Sequence, residues 1–263
     1  MKNNDLHQWL LNRSQAEPLL LSPLHMNMVG QPSGKMDSSN IPGDSTVVIV
    51  PIFGVITKGS GLSREDCSEY GLCDLDHVTE DLYSAKSDPT TKAIILFIRS
   101  PGGEVVGLKE VSDLITLIRQ TIPVISFSDT YECSAGYYIG CNASICLASP
   151  SARIGNVGSI MTRYSYAESL KAMGIDVYVS AISEVKKYGH TELPISPEEK
   201  KDIDRRVKEA TDEIVQRVKS NRPSIADENL QAQWFTGEVA VTNGYVDGLI
   251  PDIYTVMAVL AIA

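Results

Sequence analysis

A serine and a pair of glycines have the residue types and the spacing of a nucleophile and an oxyanion hole. Gly102 and Gly103 follow the apolar, β-branched run 93–98, which is typical of a buried parallel strand. A glycine at the end of a strand lets backbone N–H groups approach a ligand oxygen closely. Ser134 follows a second predicted strand, 124–127, and stands where a helix begins, near N–H groups without partners in the helix. The sequence therefore predicts a serine nucleophile that faces backbone N–H donors.

The proton acceptor that this serine needs is predicted to be a lysine. No histidine lies between Ser134 and His190, whereas Lys186 and Lys187 follow a third predicted strand, 175–182. A lysine accepts a proton only as the neutral amine, and burial favours that form by lowering the pKa from about 10.4. The pattern is that of the Ser-Lys variant of the catalytic triad. His190 is the rival base.

The elements that must position these residues alternate between strand and helix, which indicates βαβ units and a mainly parallel sheet. An opening strand is predicted over 47–56, and a helix begins at the capping box Ser196-Pro197-Glu198-Glu199. Three helices present apolar faces, which consist of Leu75, Val78, Leu82 and Ala85, of Leu108, Val111, Ile115 and Ile118, and of Ile203, Val207, Ala210, Ile214 and Val218.

Length and charge restrict the class of protein. The chain has 263 residues and 43% hydrophobic content, enough for one enzyme domain with small extensions. The formal net charge of −10 and the lack of a basic stripe exclude a nucleic acid or an anionic membrane surface as partner. No signal peptide pattern and no bilayer-length apolar run are present, so we expect no membrane partner. Nothing in the sequence indicates a cofactor or a metal.

The cysteines indicate a reducing compartment. There are five, an odd number without the spacing of metal ligands, which favours a cytoplasmic protein without disulfides. Cys133 directly precedes Ser134 and is the rival nucleophile.

Taken in order, the motifs resemble the signal peptide peptidase A family of serine proteases, in particular its soluble, phage-type members that act as prohead or capsid maturation proteases. The resemblance covers residues 44 to 250. It rests on the strand 47–56, Ser100-Pro101-Gly102-Gly103, Ser134-Ala135-Gly136-Tyr137-Tyr138, Gly155-Asn156-Val157-Gly158, Ser183-Glu184-Val185-Lys186, and the closing runs 235–240 and 244–247.

The resemblance implies a role for each site residue. Ser134 is then the nucleophile and Lys186, not Lys187, the general base. The oxyanion hole consists of backbone N–H groups of Gly102, Gly103 and Ala135. Asn156 replaces a serine that orients the lysine in the family, and its amide oxygen can still accept a hydrogen bond.

The resemblance also implies the architecture and the partners. The fold is expected to be α/β, a ClpP/crotonase-like spiral of βαβ units, and the chain is expected to form a homo-oligomeric ring. From composition, the expected division is an N-terminal arm and linker over 1–43, a peptidase domain over 44–252 and an apolar C-terminal tail over 253–263, and the Pro- and Gly-containing run 26–46 is predicted to be the linker. Substrates would be polypeptides, with capsid or scaffold proteins as partners, in the host cytoplasm or a virion precursor.

Substrate choice is predicted to come from a groove beside the strand after Gly103, where a peptide can add as a β-strand. Residues 104–107 and the loop after Met161 are expected to line it. Four alternatives stay open: a crotonase-type acyl-CoA enzyme, a ClpP-type protease that uses His190, a bacterial cytosolic relative of the same peptidase family, and a noncatalytic assembly protein that kept the fold.

Overall fold

The computed structural model describes residues 19–21 and 47–262, with side chains from 47 to 260. The predicted linker 26–46 and most of the N-terminal arm therefore lie outside the described residues. The described strands are β1 (Leu19–Leu21), β2 (Val47–Phe53), β3 (Val55–Thr57), β4 (Leu72–Asp74), β5 (Ala93–Arg99), β6 (Gly102–Glu104), β7 (Val124–Ser128), β8 (Tyr131–Cys133), β9 (Ile145–Ala148), β10 (Arg153–Gly155), β11 (Trp234–Thr236) and β12 (Gly248–Leu249).

Helices follow most of these strands, as the alternating sequence pattern predicts. They are α1 (Arg64–Tyr70), α2 (Leu75–Ser87), α3 (Leu108–Ile118), α4 (Ala135–Gly140), α5 (Ala167–Ala172), α6 (Pro197–Asn221), α7 (Gly237–Thr242) and α8 (Ile253–Ile262), with short 3-10 turns at Glu184–Lys187 and Asp227–Asn229.

The core is a five-stranded parallel sheet in the order β12-β9-β7-β5-β2. Its central strands are continuous apolar runs because both faces are covered. Helices α2 and α3 cover one face and bury both predicted apolar stripes. Helix α8, formed by the predicted apolar tail, packs Ile253, Val256 and Met257 against Phe97 and Phe127 on the other face. The α/β prediction is confirmed.

The opening strand predicted over 47–56 is divided in two at Gly54. This glycine has φ +92°, and a Cβ there would lie 2.1 Å from the Gly71 carbonyl oxygen, so no other residue fits without movement. The chain thereby leaves the five-stranded sheet and enters a second one, in the order β1-β6-β3-β4. This second sheet contains Gly102 and Gly103 in β6, where the sequence indicates only a turn.

The strand predicted over 175–182 is wrong. These residues pair with no strand in the described part of the chain. Tyr178 and Ile182 are 90% and 99% exposed. Their apolar character resembles that of a strand, but a strand forms only where a neighbour accepts its backbone hydrogen bonds, and none of the described strands takes that place.

Helix α6 begins at the predicted capping box. The Ser196 hydroxyl accepts a hydrogen bond from the Glu199 backbone N–H at 3.0 Å, and Pro197 takes the first helical position. Of the predicted stripe, Ile214 and Val218 are buried and the three residues nearer the start are half-buried. The second half of α6 therefore packs on the hydrophobic core, whereas the apolar face of its first half is only partly covered.

Candidate active site

Ser134 lies on a sharp turn between β8 and α4. Its backbone has φ 55° and ψ −117°, the conformation of the first central residue in a type II′ turn, where glycine is the usual residue. A serine in this region is strained, and such strain is concentrated at functional sites. A strand–serine–helix turn of this kind presents the nucleophile in α/β-hydrolases.

Hydrogen bonds hold this turn in place. The Ser134 backbone N–H donates to the Gly155 carbonyl at 2.7 Å, and its hydroxyl donates to the Gly158 carbonyl at 3.4 Å. Parallel pairing of β8 with β10 sets this register. The Ser134 side chain is therefore oriented towards the loop 155–158, where Asn156 lies.

Ser100 connects the turn to the glycine strand β6. Its carbonyl accepts from the Cys133 backbone N–H at 3.1 Å, and its hydroxyl accepts from the Gly102 N–H at 3.1 Å. Helix α4 contacts β6 directly. The structure thus brings Ser134 and the predicted oxyanion glycines into one neighbourhood. Sequence reasoning had assigned Ser100 no role beyond the family motif.

The three predicted oxyanion donors differ in their hydrogen bonding. The Gly102 N–H is already bound to Ser100. Ala135 is the first residue of α4, a position whose N–H has no acceptor within the helix. Gly103 lies where β3 approaches so closely that a Cβ would be 2.0 Å from the Ile56 carbonyl oxygen. Of the three, Ala135 is therefore the donor whose N–H the helix geometry leaves free, while Gly103 has no room for a side chain.

Cys133 is poorly suited to be the nucleophile. It is buried, and its thiol donates to the Arg153 carbonyl at 3.3 Å. Burial raises the pKa of the thiol to about 12, which opposes formation of the reactive thiolate. All five cysteines are free and buried.

Lys186 lies on the 3-10 turn Glu184–Lys187 and is exposed. Its side chain has no hydrogen bond or ion pair among the described residues, whereas Lys187 pairs with Glu184 at 2.6 Å. The Ser134 hydroxyl bonds to Gly158 instead of to Lys186. A single chain therefore leaves Lys186 without the buried environment that the sequence predicts for a neutral lysine.

The surroundings of Lys186, residues 159–195, are here named the Lys186 segment. Apart from the Arg163 side chain, these residues are half-buried or exposed. The segment exposes many large apolar side chains: Ile160, Tyr164, Tyr166, Met173, Ile175, Val177, Tyr178, Ile182 and Val185. Exposed apolar surface on this scale is typical of an interface.

A buried ion pair anchors the Lys186 segment to α6. Arg163 Nε donates to Glu199 Oε1 at 2.8 Å, and the same oxygen accepts from the Gly189 N–H at 2.9 Å. Beside this pair lies a cavity of about 550 Å³, whose lining includes Met161 and His190. Met161 opens the loop in which the sequence predicts part of the substrate groove. His190 is exposed.

Asn156 adopts φ 54°, a left-handed conformation that asparagine tolerates better than most residues. Its backbone N–H donates to the Gln233 carbonyl at 2.6 Å. Its amide makes no hydrogen bond among the described residues, so it is free to accept one from an incoming amine.

Comparison with known proteins places the chain in a family. Peptidase family S49 matches residues 116–261, which is more than half of the chain. The chain belongs to peptidase family S49. This membership confirms the resemblance to the signal peptide peptidase A proteases and the ClpP/crotonase-type fold. Ser134, Asn156 and Lys186 lie within the matched residues, and the glycines of β6 lie before them.

Curated relatives of this S49 chain include two phage proteins. The head-tail preconnector protein GP5 of Enterobacteria phage P21 is 26% identical over 216 residues, 81% of this chain and 42% of the relative. The capsid assembly protease C of Escherichia phage lambda is 24% identical over 215 residues, 80% of this chain and 48% of the relative. The chloroplastic serine protease SPPA of Arabidopsis thaliana is 25% identical over 178 residues, 66% of this chain and 26% of the relative. The chain spans less than half the length of these relatives.

Sequence reasoning missed one ionisable group of this S49 site. Glu132, two residues before Ser134, is completely buried, and neither carboxylate oxygen has a hydrogen-bond partner among the described residues. Burial raises its pKa to about 8 and outweighs the Arg222 charge and the Ser126 hydroxyl, which act in the opposite direction. Gly140 makes room for it, since a Cβ there would lie 1.9 Å from Glu132 Oε1.

No group of histidine, cysteine or carboxylate side chains in the described ranges is arranged to hold a metal ion. Within the same ranges, no helix has the length and apolar character needed to cross a membrane.

Proposed function

We propose that this chain is a serine endopeptidase that uses a Ser134-Lys186 dyad and cleaves capsid or scaffold proteins during phage head maturation. The observation that carries the proposal is the strained Ser134 turn at the start of α4, joined through Ser100 to the glycines of β6. Family membership supports peptide hydrolysis. The names of the phage relatives, a head-tail preconnector and a capsid assembly protease, support the choice of substrate.

The reaction proceeds in two stages. Ser134 Oγ attacks the peptide carbonyl while neutral Lys186 accepts its proton, and the N–H groups of Gly103 and Ala135 stabilise the oxyanion. Lys186 then donates that proton to the leaving amine, which departs and leaves an acyl-enzyme. Water, deprotonated by Lys186, attacks the acyl group, and collapse of the second intermediate releases the acid and restores the Ser134 hydroxyl.

Assembly completes this site. Lys186 must come within hydrogen-bond distance of Ser134 Oγ, yet in a single chain it is exposed and bonds to nothing described. The apolar surface of the Lys186 segment supports burial against another copy of the chain. We infer a closed homo-oligomer, a ring, in which this contact buries Lys186 and favours its neutral form. The compartment is the host cytoplasm or the assembling prohead.

Covalent labelling tests the proposal. A serine-reactive phosphonate should label the purified chain at Ser134, and a Cys133→Ser variant should be labelled equally. A Ser134→Ala variant should not be labelled. An unlabelled wild-type chain in its assembled state would reject the peptidase and favour a noncatalytic assembly protein.

A further inference from the structure

A segment of the N-terminal arm occupies the sheet edge where the sequence predicts substrate binding. Strand β1 pairs antiparallel with β6, so that Leu19 lies opposite Glu104, Leu20 opposite Gly103 and Leu21 opposite Gly102. On its other side β6 pairs with β3. Without β1, strand β6 would be an edge strand, and an exposed edge is a template for an added strand.

The direction of β1 is that of a substrate approaching the nucleophile. From Leu19 to Leu21 the chain advances from Glu104 towards Gly102, the end of β6 that Ser100 connects to the Ser134 turn. In that direction β1 lies where a substrate would place the residues that precede its scissile bond. Gly103, a candidate oxyanion donor, lies opposite the middle residue of β1.

The sequence around β1 suits a short, extended ligand. Prolines at 18 and 23 flank the leucines, and a proline has no N–H to extend a ladder, so the paired stretch is confined to a few residues. The three leucines carry no charge. An occupant of this kind binds chiefly through its backbone, as in other cases of strand addition.

We propose that Leu19–Leu21 is an internal ligand of the substrate groove, which competes with protein substrates for the edge of β6, and that those substrates enter as extended, leucine-rich segments. The binding of β1 to the edge of β6, here called its seating, rests on the strand pairing alone. The competition rests on the proposed peptidase function.

Hydrogen exchange on the full chain tests the seating without reference to activity. A Leu20→Pro variant should lose β1 pairing because proline removes an N–H and restricts φ. Exchange at residues 102–104 should then accelerate on the order of tenfold, as expected for the loss of one or two backbone hydrogen bonds. The matched control is Leu11→Pro, the same change earlier in the arm, which should leave exchange at 102–104 unchanged. Unchanged exchange in Leu20→Pro would overturn the proposal.

A peptide added in trans provides the second measurement. A synthetic peptide of residues 15–25 should restore protection at 102–104 in the Leu20→Pro chain, and the same peptide carrying Leu20→Pro should not. Phosphonate labelling of Ser134 should be faster in Leu20→Pro than in the wild type, and the 15–25 peptide should slow it. Restored protection without any labelling would uphold the seating while rejecting the peptidase, and failure of the peptide to protect or to compete would reject the internal ligand.

Discussion

Replacement of Glu132 by glutamine should abolish most of the decline in stability between pH 5 and pH 8. In the folded chain the pKa of Glu132 is raised from its ordinary value of 4.5 to about 8 because the carboxyl is completely buried. The folded state therefore keeps a proton that the unfolded state has released. A group of this kind contributes stability that is present in full below pH 4.5 and is lost as the pH rises to about 8.

The magnitude follows from the pKa difference. Each pKa unit corresponds to about 1.4 kcal/mol, so the full difference is about 5 kcal/mol. The pKa of about 8 already includes the opposing effect of the Arg222 guanidinium, which is bound to Asp247 at 2.7 Å. Between pH 5 and pH 8 we expect the free energy of unfolding of the wild type to fall by about 2 to 4 kcal/mol from this group. Glutamine has nearly the same shape and no charge, so its variant should lack this decline.

Urea unfolding at half-unit steps from pH 5 to pH 8 is the assay. Carboxyls whose pKa is lowered, such as Asp74 and Asp247, affect stability below this window, and the buried thiols whose pKa is raised affect it above. Glu65→Gln, on the exposed side of α1, is the control, and its free energy of unfolding should decline with pH as steeply as that of the wild type. Equal slopes for Glu132→Gln and the wild type would show that Glu132 is ionised in the folded chain and that its burial does not govern its charge.

The remaining predictions concern catalysis and assembly. Ser134→Ala and Lys186→Ala should each lose nearly all peptide hydrolysis without unfolding, while Lys187→Ala should lose little; substantial activity in Lys186→Ala would contradict the base assignment. Hydrolysis should increase towards alkaline pH because only a neutral amine accepts a proton, and a profile that is already flat above about pH 6.5 would indicate histidine. Arg163→Ala should leave the buried Glu199 side chain without its ion-pair partner and destabilise the chain by about 3 to 5 kcal/mol in urea unfolding, and a loss below about 1 kcal/mol would contradict this. Light scattering should give the mass of a closed oligomer, and a fully active monomer would refute the assembly.

Local patterns in the sequence were sufficient to predict the strands and the helix that position Ser134. The runs 93–98 and 124–127 are apolar because both faces of the sheet are covered, and Ser134 at the start of α4 follows from the small residues after it. The strained φ of Ser134 could not be predicted, because it depends on the Gly155 carbonyl and on β10, which are distant along the chain.

Features that depend on distant partners were missed. Glu132 resembles an ordinary polar residue of a short strand, and only the three-dimensional contact with Gly140 reveals its burial. The apolar alternation over 175–182 predicts a strand, but none of the strands that the structure describes pairs with it. The pairing of β1 with β6 joins segments far apart in sequence, and no short-range pattern encodes it.

The exposed apolar surface of the Lys186 segment has a kinetic consequence under the proposed function. If Ser134 and Lys186 meet only where copies of the chain associate, the catalytic unit forms in a reaction of higher than first order in the chain. Specific activity would then rise steeply with concentration and vanish on dilution. A newly synthesised chain, dilute among host proteins, would cleave nothing, and hydrolysis would begin only where many copies are gathered at one place.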